Sequence, residues 1–117
     1  MEIRFENKVA FITGAAGGIG YAAARMFAEA GASVVMADLD SRVTDRAKEL
    51  EAEGHNAIGI RCDVSDEVQV KAAVEKAVAV FGKLDIAYNN VGIHAAVRED
   101  LAETEGWDFD RVISVNL

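Results

Sequence analysis

The chain has 117 residues, a net charge of −8 and a single cysteine, Cys62. An acidic chain disfavours polyanions, so we expect neither nucleic acid nor a membrane surface as its partner. One cysteine excludes an intrachain disulfide and a cysteine-rich zinc site, so we expect no metal and a reducing, cytoplasmic setting.

Short apolar runs alternate with segments of helical periodicity along the whole chain. Strands are predicted at 9–12, 33–37, 57–62 and 85–88. Three helices are predicted between them, the second capped by Ser41 and the third by Ser65. Their apolar faces are expected to be Ile19, Ala22, Ala23, Met26, Phe27 and Ala30 in the first, Val43, Ala47 and Leu50 in the second, and Val70, Ala73, Val74, Ala77 and Phe81 in the third. A last helix is predicted from Thr104 through Trp107 and Val112 to Ile113.

This alternation predicts an α/β domain spanning residues 1–117, with a doubly wound parallel sheet and helices on both faces. The expected strand order is 3-2-1-4. In that order the fourth strand leaves its outer edge unpaired, and the last helix has little sheet to cover it. Both features favour association, so we expect a homo-oligomer.

A glycine-rich turn, from Thr13 to Gly20, lies between the first strand and the first helix. Gly14 permits a sharp turn, Gly18 leaves space for a pyrophosphate, and Gly20 allows the helix to pack closely on the strand. The alternative is a turn that merely packs tightly. Its place between a strand and a helix favours phosphate binding at the helix N-terminus.

An acidic residue, Asp38, follows the second strand. Its carboxylate can accept hydrogen bonds from both ribose hydroxyls of NAD and would repel the 2′-phosphate of NADP, so we expect NAD to be preferred. The alternative role is a helix cap, which Asp40 or Ser41 can also fill. Arg42 is the nearby cation that would weaken the preference.

Two further polar motifs end the third and fourth strands. Asp63 is a candidate for bonding the adenine amino group, with Val64 packing on the ring, although a helix cap is an equal alternative. Asn89-Asn90-Val91-Gly92 can hold the surrounding loops, and Gly92 can let the cofactor approach; the alternative is an asparagine-rich turn.

Together these motifs resemble the N-terminal half of a short-chain dehydrogenase/reductase, with Val115-Asn116-Leu117 completing the match. The resemblance implies a Rossmann-type domain that binds NAD(H) and transfers hydride to or from a small alcohol or ketone. It makes Asn116 a catalytic residue, acting with Ser, Tyr and Lys partners. The implied cofactor-binding residues are Gly14, Ala16, Gly17, Gly18, Ile19, Gly20, Asp38, Leu39, Cys62, Asp63, Val64, Asn90, Val91 and Gly92.

The chain departs from the family pattern after Asn116, because neither a Ser nor a Tyr-x-x-x-Lys comes later in the sequence. Tyr21 and Arg25 have the spacing of that pair, but they fall on the first helix, and arginine cannot deprotonate as lysine can. We therefore expect them on the helix surface. The chain is expected to be the cofactor-binding half of an enzyme, inactive by itself. The alternative is a complete small nucleotide-binding protein without catalysis.

Overall fold

The computed structural model describes residues 4–89 and the backbone of residues 113–116. Its elements confirm the predicted alternation of strands and helices over the first four strands. In chain order they are β1 (Val9–Thr13), α1 (Gly18–Glu29), β2 (Ser33–Asp38), α2 (Arg42–Ala52), β3 (Ala57–Arg61), α3 (Glu67–Phe81), β4 (Ile86–Asn89) and β5 (Ile113–Asn116).

The strands form one parallel sheet in the order β3-β2-β1-β4-β5, which confirms the predicted order 3-2-1-4. At its centre Phe11 lies opposite Val35 on one neighbour and opposite Ala87 on the other. All five residues of β1 are buried, because helices cover both faces of a parallel sheet. The continuous apolar runs of the sequence are the result of this double coverage.

Two apolar clusters lie on opposite faces of the sheet. Ile12 and Met36 pack with α1 and α2 on one face. Phe11 and Val35, their neighbours along the strands, pack with α3 on the other. Successive strand residues point to opposite faces, so each strand contributes to both clusters.

The end of the chain differs from the prediction. Ile113 does not belong to a helix but begins β5, which pairs in parallel with β4. The predicted open edge of β4 is therefore also wrong. Helical spacing from Trp107 outweighed the β-branched residues Ile113 and Val115 in the prediction. Pairing instead satisfies the backbone groups on the facing sides of β4 and β5. The rest of the predicted last helix, with Thr104, Trp107 and Val112, lies outside the described residues.

The helix faces and caps are partly as predicted. The inward residues of α2 are confirmed, and so are those of α3 except Phe81, which is only partly buried. In α1 the buried face is rotated to Gly20, Ala23, Ala24, Phe27 and Ala28, while Ile19 and Met26 are exposed. The rotation results from Gly20, whose lack of a side chain lets the helix approach the sheet on that side.

Neither of the two serines predicted as caps makes a side-chain cap. Asp66 caps α3 by accepting the N–H groups of Val68 and Gln69. Ser41 lies at the N-cap position of α2, as predicted, but its side chain makes no capping hydrogen bond. There the carboxylate of Asp40 accepts the Arg42 N–H at 2.9 Å. A carboxylate at a helix N-terminus also interacts favourably with the helix dipole.

Replacing Gly20 with alanine should strongly destabilise the fold. A Cβ at Gly20 would lie 1.9 Å from the carbonyl oxygen of Gly14, a backbone atom that cannot move aside without shifting the turn. We expect Gly20→Ala to lower the free energy of unfolding by about 3 kcal/mol or more, measured by urea denaturation. Gly17→Ala is the matched control: its Cβ would meet nothing within 4 Å and its φ of −171° suits any residue. Similar losses in both variants would contradict this account of α1 packing.

Candidate functional site

The glycine turn leaves the N-terminus of α1 open. Gly14 and Gly18 have φ values of +64° and +58°, a left-handed conformation that favours glycine. A Cβ at Gly17 or Gly18 would meet nothing within 4 Å, so the part of the chain that the structure describes leaves the space beside them free. Gly17 is the N-cap residue and supplies no side-chain cap, and the first turn of α1 holds no acidic residue.

Backbone donors face this opening. Among the described residues, the N–H groups of Gly17, Gly18 and Ile19 have no hydrogen-bond partner. Unpaired N–H groups and the positive end of the helix dipole together make such a terminus a site for an anion. The sharp turn at Gly14 and the close helix packing at Gly20 are as the sequence predicted, and the pyrophosphate-binding role of Gly18 stays a prediction.

Asp38 ties the end of β2 to the glycine turn. Its Oδ2 accepts the N–H of Ala16 at 2.9 Å, and its Oδ1 accepts the N–H of Asp40 at 3.0 Å. The N–H of Ala15 also donates to the carbonyl of Ala37, at 3.2 Å. The carboxylate therefore does not cap α2; it lies half-buried beside the turn with its oxygens oriented by backbone donors.

Arg42 is held by Asp40. Its Nε and Nη2 both donate to Asp40 Oδ2, at 2.9 and 2.7 Å. The Arg42 side chain keeps the pKa of the Asp40 carboxyl below its ordinary value, chiefly through these hydrogen bonds. The cation that the sequence placed near Asp38 is thus paired with a different carboxylate.

Arg46 makes a contact with the glycine turn that the sequence did not predict. From α2 its Nε donates to the carbonyl of Ala16 at 3.1 Å, and its guanidinium lies 5.1 Å from the centre of the Tyr21 ring. Thirty residues separate Arg46 from Ala16. No local sequence motif predicts such a contact, since it depends on the packing of α2 beside the turn.

Tyr21 and Arg25 join the two helices. The Tyr21 hydroxyl donates to Glu49 at 3.1 Å and accepts from Arg25 at 3.0 Å, while Arg25 also pairs with Glu53 at 2.8 Å. These partners raise the pKa of Arg25 above its ordinary value, with the Tyr21 hydrogen bond as the largest cause. The pair predicted for the helix surface is partly exposed on α1, where it also connects α1 to α2.

Asp63 forms a turn with Ser65. Its Oδ1 accepts the N–H and the hydroxyl of Ser65, at 3.0 and 2.6 Å, and this bonding holds the pKa of the Asp63 carboxyl below its ordinary value. Asp63 does not cap α3, since Asp66 does. Val64 lies partly buried against the α3 face of the core.

Asn116 lies at the same edge of the sheet as these groups. It is opposite Asn89 in the register of β4 and β5, at the carboxyl ends of both strands. Asn90, Val91 and Gly92, predicted to approach the cofactor, lie outside the described residues. Within residues 4–89 there is no group of three or more metal-binding side chains, and no helix long and apolar enough to cross a membrane.

Residues 8–117 match the family described as short chain dehydrogenase. The chain belongs to this family. That confirms the resemblance drawn from the sequence, and the parallel sheet confirms the Rossmann-type fold that it implied.

Individual members of the short-chain dehydrogenase family are similar over almost the whole chain. This chain is 46% identical over 115 residues to borneol dehydrogenase, mitochondrial, of Lavandula x intermedia. The match covers 97% of this chain and 42% of that protein. It is 44% identical over 115 residues to secoisolariciresinol dehydrogenase of Forsythia intermedia, covering 97% and 41%. The chain thus spans about two fifths of the length of these relatives.

Two solved structures of the family contain a nicotinamide cofactor. A 7α-hydroxysteroid dehydrogenase complexed with NADH and 7-oxo glycochenodeoxycholic acid matches with a TM-score of 0.74 and 39% identity, over 78% of this chain and 36% of that one. A short-chain dehydrogenase/reductase from Burkholderia phymatum in complex with NAD matches with a TM-score of 0.73 and 41% identity, over 77% and 32%.

Cys62 should react slowly with thiol reagents while the chain is folded. Its side chain is buried, and burial raises the pKa of the thiol to about 11, with Asp63 and Asp66 adding to the effect. Because the thiolate is the reactive form, we expect alkylation by iodoacetamide at pH 8 to be much slower in the native chain than in urea. Equally fast labelling in both states, measured by mass spectrometry, would contradict this placement.

The same shift predicts a loss of stability in alkali. A thiol pKa that is higher in the folded state than in the unfolded chain contributes stability below the unfolded value of about 9. This contribution is lost as the pH rises towards 11. The alkaline decline in unfolding free energy should therefore be shallower in Cys62→Ala than in the parent chain.

Proposed function

We propose that this chain binds NAD(H) at the glycine turn and serves as the cofactor-binding part of an oxidoreductase that acts on an alcohol/ketone pair. The observation that carries the proposal is the open N-terminus of α1, with uncapped backbone donors directly beside the Asp38 carboxylate. An anion site and a ribose-binding carboxylate at this spacing suit a dinucleotide.

The residues present fit the diphosphate. Among residues 4–89, no side chain fills the space beside Gly17 and Gly18, and no group pairs with the backbone donors there. Gly14 and Gly20 act indirectly, because their close approach holds the turn in this shape. Ala16 contributes through its backbone, and Ile19, 64% exposed at the start of α1, offers apolar surface beside the turn.

Asp38 would select the adenine ribose. Its two oxygens are oriented by the N–H groups of Ala16 and Asp40, and each carboxylate oxygen retains capacity for a further donor. A 2′-phosphate at this position would meet a carboxylate, which disfavours NADP. Leu39, 58% exposed, offers apolar surface for the adenine. Asp63, Val64 and the backbone of Cys62 would border the adenine from the segment that follows β3.

When bound, NAD(H) supplies the hydride transfer, and the protein's own groups orient the cofactor and move the proton. From the family resemblance we propose that Asn116 holds a water in the proton relay. Asn90, Val91 and Gly92 are proposed to border the cofactor next to it. The substrate class, the cytoplasmic location and the homo-oligomeric state stay predictions.

The first test compares the two cofactors. We expect NADH to bind more tightly than NADPH by roughly tenfold or more, as for the loss of a hydrogen bond to a charged group. Asp38→Ala should narrow this gap. It should also weaken NADH binding, because the variant removes the ribose acceptor and releases the Ala16 N–H.

Isothermal titration calorimetry provides the measurement, and Asp45→Ala, which removes an exposed carboxylate from α2, is the charge-matched control. The role of Asp38 would be refuted if Asp45→Ala narrowed the difference between NADH and NADPH affinity as much as Asp38→Ala does. It would also be refuted if the parent chain bound NADPH more tightly than NADH. A parent chain that binds neither cofactor would refute the proposed function.

The second test is turnover. The 117-residue chain has Asn116 but no Ser or Tyr-x-x-x-Lys after it, so acid–base catalysis worth roughly 10²–10⁴ in rate should be missing. We expect it to bind NADH without oxidising it in the presence of ketones, monitored at the NADH absorbance band. Reduction of a ketone at ordinary enzyme rates would contradict this. The intact mass of the natural protein distinguishes the two hypotheses for this chain. A mass well above 12.5 kDa supports the cofactor-binding half of an enzyme, and a mass of 12.5 kDa supports a small nucleotide-binding protein.

A further inference from the structure

The peptide between Ala16 and Gly17 is held from two sides. On one side the N–H of Ala16 donates to Asp38, at 2.9 Å. On the other, the carbonyl of Ala16 accepts from Arg46 Nε, at 3.1 Å. Ala16 is 3% exposed, although the next three residues are exposed, so the turn changes at this point from buried to open backbone.

The carbonyl of Ala16 and the N–H of Gly17 belong to the same peptide group. A trans peptide is planar, and its C=O and N–H point in opposite directions. The described part of the chain has no cis peptide bond. A carbonyl directed at Arg46 on α2 therefore directs the Gly17 N–H away from α2, and that N–H has no partner among the described residues.

The glycine at position 17 makes it easy for this peptide group to rotate out of the observed orientation. A peptide group that precedes glycine can rotate because no Cβ restricts the glycine backbone. If it rotated here, the carbonyl oxygen would face the opening and the donor would face α2. An anion at the opening would then meet a negative partial charge in place of a hydrogen-bond donor.

We propose that Arg46 is a positioning residue that fixes the Ala16–Gly17 peptide, so that the Gly17 N–H is available to the cofactor diphosphate. This inference rests on the proposed NAD(H) function for its ligand, while the orientation of the turn stands on the contacts alone. Arg46 is itself oriented by Glu49, at 3.2 Å, and by the face of Tyr21. The α2 helix thereby controls the phosphate turn from outside it.

Arg25 is a close control for Arg46. Its guanidinium also lies against the Tyr21 ring, 5.6 Å from the ring centre, and it pairs with Glu53, the residue that follows α2. Its hydrogen bonds reach Tyr21, Glu29 and Glu53 and do not reach the glycine turn. Arg25→Met removes the same charge and the same kind of contact with the Tyr21 ring as Arg46→Met, and the two arginine side chains are 35% and 36% exposed.

The experiment measures NADH affinity and backbone exchange in the full chain. We expect Arg46→Met to weaken NADH binding roughly tenfold, as for one partly exposed charge-assisted hydrogen bond, and Arg25→Met to change it less than about twofold. Without cofactor, the Ala16 amide should exchange with solvent several-fold faster in Arg46→Met than in Arg25→Met. Arg46→Lys, which keeps the charge but not the planar donor group, should restore only part of the affinity.

Equal NADH affinity in the two methionine variants, or equal exchange of the Ala16 amide, would overturn the positioning role. Full recovery in Arg46→Lys would also overturn it, because a charge alone would then explain the effect. If the parent chain does not bind NADH, the proposed function fails, but the exchange difference still decides whether Arg46 holds the turn.

Discussion

Gly20 and the carbonyl of Gly14 approach so closely that no other residue fits between α1 and the end of β1. This contact brings the first turn of the helix directly against the strand that forms the centre of the sheet. The rotated face of α1 results from it, with Ala23, Ala24 and Phe27 buried and Ile19 exposed. The opening beside Gly17 and Gly18 also depends on it, because a helix held further away would not present its donors at the sheet edge.

Around that contact, the site depends on side chains that fix the orientation of backbone groups in the glycine turn. Asp38 engages the Ala16 N–H and Arg46 engages the Ala16 carbonyl, one from the end of β2 and the other from α2. Each is a half-exposed interaction of modest strength in isolation. Together they act on a single residue, so they restrict the turn more than either contact would alone.

The charges near the site are distributed so that opposite signs meet locally. Arg42 is bonded to Asp40 and Arg46 to Glu49, while the Asp38 oxygens face backbone N–H groups. A chain of net charge −8 can therefore present a site for a diphosphate, since the relevant field comes from backbone dipoles within a few ångströms. Overall charge describes long-range partners and does not describe this turn.

Much of the fold could be read from the sequence, because its signals are local. Apolar runs of strand length, helical periodicity in 43–50 and 70–77, and the glycine spacing of 14–20 all express constraints between near neighbours. The same locality explains the errors. The capping roles of Asp40 and Asp66 depend on side-chain geometry at one turn, and neighbouring serines offered an equally plausible pattern.

What the sequence determined by itself was the order of elements through β4, the family, and the residues around the glycine turn with Asp38 beside it. Tertiary structure alone decided the rest. The pairing of β5 with β4 joins Ile113 to Ile86, and the Arg46 contact joins α2 to a turn 30 residues earlier. Neither has a spacing that repeats along the chain, because contacts between packed elements are set by how helices and strands meet in space.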